Sequence, residues 1–170
     1  MSGKNRSAEL VRLSYCSTAT FASMEGSAGV EKEVARILME SRRNNPPQEL
    51  GGVLHYGNGY FFQVLEGERK KVNDRYEKIV NDSRHRDVEL LAVHPVEERL
   101  FPDWSMKYVA VEESIGKLLA EEDFKEFNPY EFDENFCERL IRCFVKEPDA
   151  PLAPETDEKQ RRPFWKRLFG

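Results

Sequence analysis

Two apolar stretches, Leu50–Tyr56 and Tyr60–Glu66, are separated only by Gly57-Asn58-Gly59. Apolar and aromatic runs joined by an Asn-Gly pair signal a β-hairpin, because the tight turn that matches strand twist needs positive φ at its central residues. A chain with this hairpin at its centre builds a sheet around it, and one face of each strand must meet a core. Within the second strand, period two sets Gln63 on the same face as Phe61 and Leu65, so its amide points inward. Burying an amide without partners costs about 1–3 kcal/mol. Another side chain or a bound polar ligand has to satisfy it.

The flanking segments complete a pattern. Leu10–Ser17 reads as a first strand, with Val11, Leu13 and Tyr15 on one face. A Ser/Thr/Gly-rich connection runs to Gly29. From Val30 the period changes, and Val34, Ile37, Leu38 and Ser41 continue one stripe of an amphipathic helix. Asn44-Asn45-Pro46-Pro47 ends it, since proline lacks the donor a helix needs and restricts the residue before it. A second helix is predicted from Glu68 to Asn81, with Val72, Tyr76, Ile79 and Val80 on one side. Val88–Val96 reads as a fourth strand and Trp104–Val111 as a fifth, separated by the turn Pro102-Asp103. The order β-α-β-β-α-β-β predicts an α+β fold, a ferredoxin-like sheet with one added strand and two helices on one face.

Beyond Glu112 the pattern turns helical. Ile115–Ala120 is short, and Asp133–Lys146 carries Phe136, Leu140 and Phe144 in phase behind Asp133 as N-cap. These residues supply a stripe for the second face of the sheet, where Tyr60, Phe62 and Val64 would otherwise form an exposed apolar patch. The predicted organisation is one α+β domain over residues 9–112, a helical extension over 113–147, and a linker with a basic aromatic tail over 148–170. Arg161, Arg162, Lys166 and Arg167 interleave with Phe164, Trp165, Leu168 and Phe169, which suits contact with an anionic membrane surface or an acidic partner, or equally a solubilising tail.

Composition narrows the setting. A formal net charge of -5 gives no reason to expect nucleic acid. Cys16, Cys137 and Cys143 are odd in number and form no C-x-x-C pair, as expected for reduced thiols. The polar stretch Met1–Glu9 has no apolar signal region, and no apolar run nears the ~20 residues of a membrane span, so a cytoplasmic protein is expected. His55, His85 and His94 lack metal-ligand spacing, and no nucleophile, base and orienting acid can be singled out.

The helix side of the sheet is predicted to gather Tyr15, Gln63, Trp104 and Met106, with Asn44 and Asn45 at the nearby helix end. Singly, tyrosine, tryptophan and methionine are ordinary core residues, and two asparagines before prolines are an ordinary helix stop. Gln63 has no such routine explanation.

Five separated motifs then match one family. They are Leu13-Ser14-Tyr15-Cys16-Ser17, Arg43-Asn44-Asn45-Pro46, the stretch Gly52–Gly67 ending Phe62-Gln63-Val64-Leu65-Glu66-Gly67, Ile79-Val80-Asn81-Asp82-Ser83-Arg84-His85, and Phe101-Pro102-Asp103-Trp104-Ser105-Met106. The chain resembles the BLUF domain, a flavin-binding blue-light sensor of bacteria and some algae, over about Glu9–Glu112. The resemblance implies a non-covalent flavin, FAD with FMN as the alternative, held between the two helices. By position, Tyr15 looks like the tyrosine that gives an electron and a proton, and Gln63 like the glutamine bridging it to the flavin. Asn45, with Asn44 beside it, matches the asparagine on the ring carbonyl side. Leu50 and Ile79 match ring-packing positions, while Lys78, Asp82, Arg84 and His85 match the ribityl and phosphate end. Trp104 and Met106 look like the fifth-strand pair that exchanges contact as the signal forms. The chain departs from the family at Glu49-Leu50-Gly51-Gly52, where Gly-Ile-Thr-Gly is common.

The reading that follows is a sensor and not an enzyme, a homo-oligomer that signals through a separate effector protein. A ferredoxin-like binding module without photochemistry is the competing reading. An acylphosphatase-type hydrolase would need an anion loop with a catalytic arginine, and none is found.

Overall fold

The Asn58-Gly59 pair forms the turn expected of it, with φ of 52° and 78°, and Gly57 pairs with Tyr60 across the hairpin. The surrounding structure, a computed structural model, describes residues 8–21, 32–110 and 112–151. Its strands are β1 (Leu10–Ala19), β2 (Gly51–Gly57), β3 (Tyr60–Glu68), β4 (His85–Pro95) and β5 (Lys107–Tyr108). The helices are α1 (Lys32–Asn44), α2 (Arg69–Val80), α3 (Glu112–Glu121) and α4 (Glu134–Lys146), with short 3-10 turns at Pro46–Gln48 and Pro129–Glu131. The expected helix start at Val30 and the basic tail lie outside the described residues.

The sheet order is β4-β1-β3-β2-β5. All neighbours are antiparallel except β2 and β5. This is the ferredoxin-like arrangement with an added strand on the β2 edge. β5 is shorter than the period-two pattern predicts. Trp104 and Ser105 leave the ladder, and Val109 keeps one backbone bond to Leu54 (3.0 Å). β4 starts three residues before the predicted Val88, because His85 and Arg86 pair with Ala19 and Thr18 of β1.

Each face of the sheet has its own core. Val11, Leu13, Tyr15, Leu54, Phe61 and Leu65 pack under α1 and α2 with Val34, Leu38 and Val72. Val53, Phe62 and Val64 pack on the other side under Leu140, Ile141 and Phe144 of α4. Asp133 caps α4, its carboxylate accepting from Phe136 N at 2.8 Å, as the sequence predicts. At the far end of α4, the buried Lys107 of β5 donates to the carbonyls of Phe144 (2.8 Å) and Val145 (3.2 Å). A cation there complements the negative end of the helix dipole.

Glu66 is wholly buried on β3. It accepts from Arg12 Nε (2.8 Å) and from the backbone N–H groups of Leu100 (2.9 Å) and Phe101 (3.0 Å). These bonds tie the β4–β5 connection to the centre of the sheet.

His55 lies between the sheet and α4. Its ring meets Phe127 at 4.7 Å and Phe144 at 5.6 Å, and Nδ1 bonds Val109 O at 2.7 Å. Burial pushes its pKa from 6.5 down to about 4, so the folded protein holds it neutral while the unfolded chain protonates it below pH ~6.5. Between those values the unfolded state binds more protons, and stability falls as pH falls, levelling off below about 4. The loss is expected to reach roughly 3 kcal/mol at most. Denaturant unfolding at pH 7 and pH 4.5 should show a smaller acid loss in His55→Gln than in the parent; equal losses would contradict the assignment.

Candidate functional site

β1 and β3 bring Tyr15 opposite Gln63 in register. The Tyr15 hydroxyl donates to Gln63 Oε1, and Gln63 Nε2 donates to Met106 Sδ at 3.3 Å. One buried amide is thus bonded at both ends, to a phenol on β1 and to a thioether just before β5. The Tyr15 ring lies 5.5 Å from that of Tyr76 and 6.4 Å from that of His85. Burial raises the Tyr15 pKa well above 10, so the phenol keeps its proton at neutral pH. Burial lowers His85 to about 4; it stands neutral with Nδ1 sharing a hydrogen bond with Ser17 Oγ (2.8 Å).

Beside this row, a cleft opens between α1 and α2. Asn44, Asn45, Gln63, Lys78, Ile79, Asp82, Arg84 and His85 line it, so the structure gathers these residues from three separate stretches of the chain. Arg84 spans Asp82 (Nη2 to Oδ2, 2.6 Å) and Glu40 (2.7 Å). The Arg84 hydrogen bond holds the Asp82 carboxyl below its usual range.

Two expected residues sit elsewhere. Leu50 is buried in the helix-side core beside Gly67 and Val72 and does not line the cleft. Trp104, expected on the helix face of the sheet, is 38% exposed, its ring 5.9 Å from Lys107 Nζ. Gly51 supplies the physical reason. The Trp104 carbonyl accepts from Gly52 N (3.2 Å), and a Cβ on Gly51 would stand 2.7 Å from that oxygen. The glycine that departs from the family pattern therefore lets the Trp104 backbone close onto β2 while its side chain stays outside. Sequence reading also missed Ile37, Glu40, Leu65 and Arg75 as lining residues. Arg75 was findable, one helical turn before Lys78 and Ile79.

Asn45 shows what the cleft would take. Its Nδ2 donates to Ser105 O at 2.7 Å, while its Oδ1 is buried with no partner among the described residues. Arg75 Nε is likewise a buried donor without a partner among them. Gln63 Nε2 carries a second N–H beyond the one Met106 uses. An aromatic ring with an imide edge, carbonyls flanking an N–H, complements such donors and acceptors, and a flavin has one. The residues fit the group.

A family model described as sensors of blue-light using FAD matches residues 10–107. The chain belongs to the BLUF family. Domains of this family bind flavin. Photoactivated adenylate cyclase subunit beta of Euglena gracilis is 32% identical over 107 residues, 62% of this chain. The chain spans only 12% of that relative's length. Among solved structures, the ground state of BlsA superposes with a TM-score of 0.76 at 30% identity, covering 84% of this chain and 91% of that one. The dark state of BlrB, a BLUF protein, gives 0.64 at 27%, covering 81% and 96%. Klebsiella pneumoniae BlrP1 with FMN and cyclic diGMP gives 0.55 at 26%, covering 80% and 34%.

Asn45→Ala should raise the flavin dissociation constant about tenfold, because a buried partner is worth about 1–3 kcal/mol. Fluorescence titration of the apoprotein checks this, and unchanged affinity would remove Asn45 from the binding set.

Proposed function

We propose that this BLUF chain is a blue-light photoreceptor in which the Gln63 amide is the switch and Tyr15 its proton source. The observation that carries the reading is the row Tyr15–Gln63–Met106, an amide with its acceptor end on a phenol and its donor end on sulfur. A bound flavin, FAD or FMN, would supply the blue-light absorption and, once excited, an oxidising acceptor for an electron and a proton. Asn45, Arg75 and Ile79 would hold its ring, and Lys78 with the Asp82–Arg84 pair would face its phosphate-bearing chain. Neutral His85 adds no charge of its own beside the phenol.

Tyr15 Oη holds the mobile proton against Gln63 Oε1. Removing that proton or electron changes what the amide oxygen is bonded to, and the side chain responds by turning end for end or shifting its own proton. A turned amide directs Oε1 toward Met106, and two acceptors facing each other repel. Met106 then has to leave its contact. In a buried, low-dielectric row each such exchange carries weight. Trp104, already outside the cleft, would take up the space Met106 vacates or remain exposed; in either case the moving element is the stretch entering β5.

The output under this reading is the extension on the outer face, read by a separate effector protein. The matches to BlsA and BlrB over 91% and 96% of their own chains support a receptor of this extent. Among the described residues no helix is long and apolar enough to cross a membrane.

Tyr15→Phe and Gln63→Leu should each retain flavin yet lose the stable, reversible red shift of the absorption band under blue light. A normal red shift in either variant sinks the amide switch, and a protein that stays colourless after flavin reconstitution favours a non-photochemical binding module.

A further inference from the structure

Met106 is held at two points. Its sulfur accepts from Gln63 (3.3 Å), and its backbone carbonyl accepts from Arg42 Nε of α1 at 3.0 Å. The same guanidinium reaches forward to the segment after α4, Nη2 lying 3.0 and 3.2 Å from the two carboxylate oxygens of Asp149. Asp149 Oδ1 also accepts from Tyr108 N (2.8 Å), and Ala150 N donates to Tyr108 O (2.8 Å). The segment that follows α4 therefore lies along the outer edge of β5 and satisfies ladder groups that an edge strand would otherwise leave unpaired.

We infer that Arg42 and Asp149 form a latch that positions Met106 in its dark contact and that opens when Met106 leaves Gln63. The inference rests on the amide switch proposed above and names its regulation. An isolated surface ion pair contributes little. Here both side chains are largely covered, 29% and 23% exposed, and each also bonds the backbone of the residues that must move. Withdrawal of Met106 by a shift of its backbone breaks its carbonyl bond to Arg42, and a shift of Arg42 in turn releases the Asp149 carboxylate to which Tyr108 N is bonded. Coupling of this kind is reciprocal. If departure of Met106 opens the latch, a closed latch drives Met106 back.

The test uses the full chain with flavin bound and measures thermal return of the red-shifted state in darkness. Asp149→Ala and Arg42→Met should each leave the dark spectrum and the red shift in place while slowing recovery on the order of fivefold. The double variant should be no slower than the slower single one, because both remove one latch. Hydrogen exchange over residues 144–151 should rise on illumination in the parent and be high in light and dark alike in Asp149→Ala. Should the alanine variant fold poorly, Asp149→Asn retains an acceptor for Tyr108 N but lacks the charge for Arg42, and it should slow recovery by a smaller factor. Recovery within twofold of the parent in both single variants, or exchange over 144–151 that still responds to light in Asp149→Ala, would overturn the latch alone. A parent that never red-shifts would overturn the amide switch and the latch with it.

Discussion

The structure turns on a polar amide placed where a sheet wants an apolar side chain. Gln63 sits mid-strand, almost wholly buried, between Tyr15 and Met106. A glutamine there is tolerated only while both ends are bonded, since an orphaned buried amide is costly. That requirement sets the register of β1 against β3, which must bring a phenol opposite the amide. It also sets the approach of the stretch before β5, which must bring an acceptor to its other end. Satisfying the amide through sulfur, a weak acceptor, leaves that second contact the easier one to give up.

The two-layered build follows from the same sheet. One face meets α1 and α2 with the cleft between them, and the other is closed by α4 and the aromatic cluster of Phe127, Phe132 and Phe136. β3 contributes alternate residues to both, so Gln63 and its neighbours Phe62 and Val64 look in opposite directions. A displacement of the central strands would disturb both cores. β5 is joined by only a two-residue parallel ladder, yet it and its flanking residues reach both cores, Met106 and Tyr108 in the helix-side one and Val109 in the outer one.

Much of this was legible in the chain. The Asn58-Gly59 turn, the burial of Gln63 beside Phe61 and Leu65, and the α4 stripe behind Asp133 all follow from local periodicity and turn chemistry. The BLUF motifs placed most of the cleft lining as well. What escaped was set by long-range backbone contact. Trp104 left the cleft face because its carbonyl docks on Gly52 over the bare Gly51, and no period in the sequence reports that. Leu50 reads as a wall residue but is drawn under Gly67 and Val72. Asp149 lies in what reads as an acidic, proline-bounded linker, and only the fold reveals that it reaches Arg42, 107 residues earlier.

The pKa directions around Tyr15 have a consequence for signalling fidelity. The phenol releases its proton only well above pH 10, and His85 takes one up only near pH 4. Neither changes charge near neutral pH. Under the proposed amide switch, acidity would therefore not act through these two groups as a second input beside light.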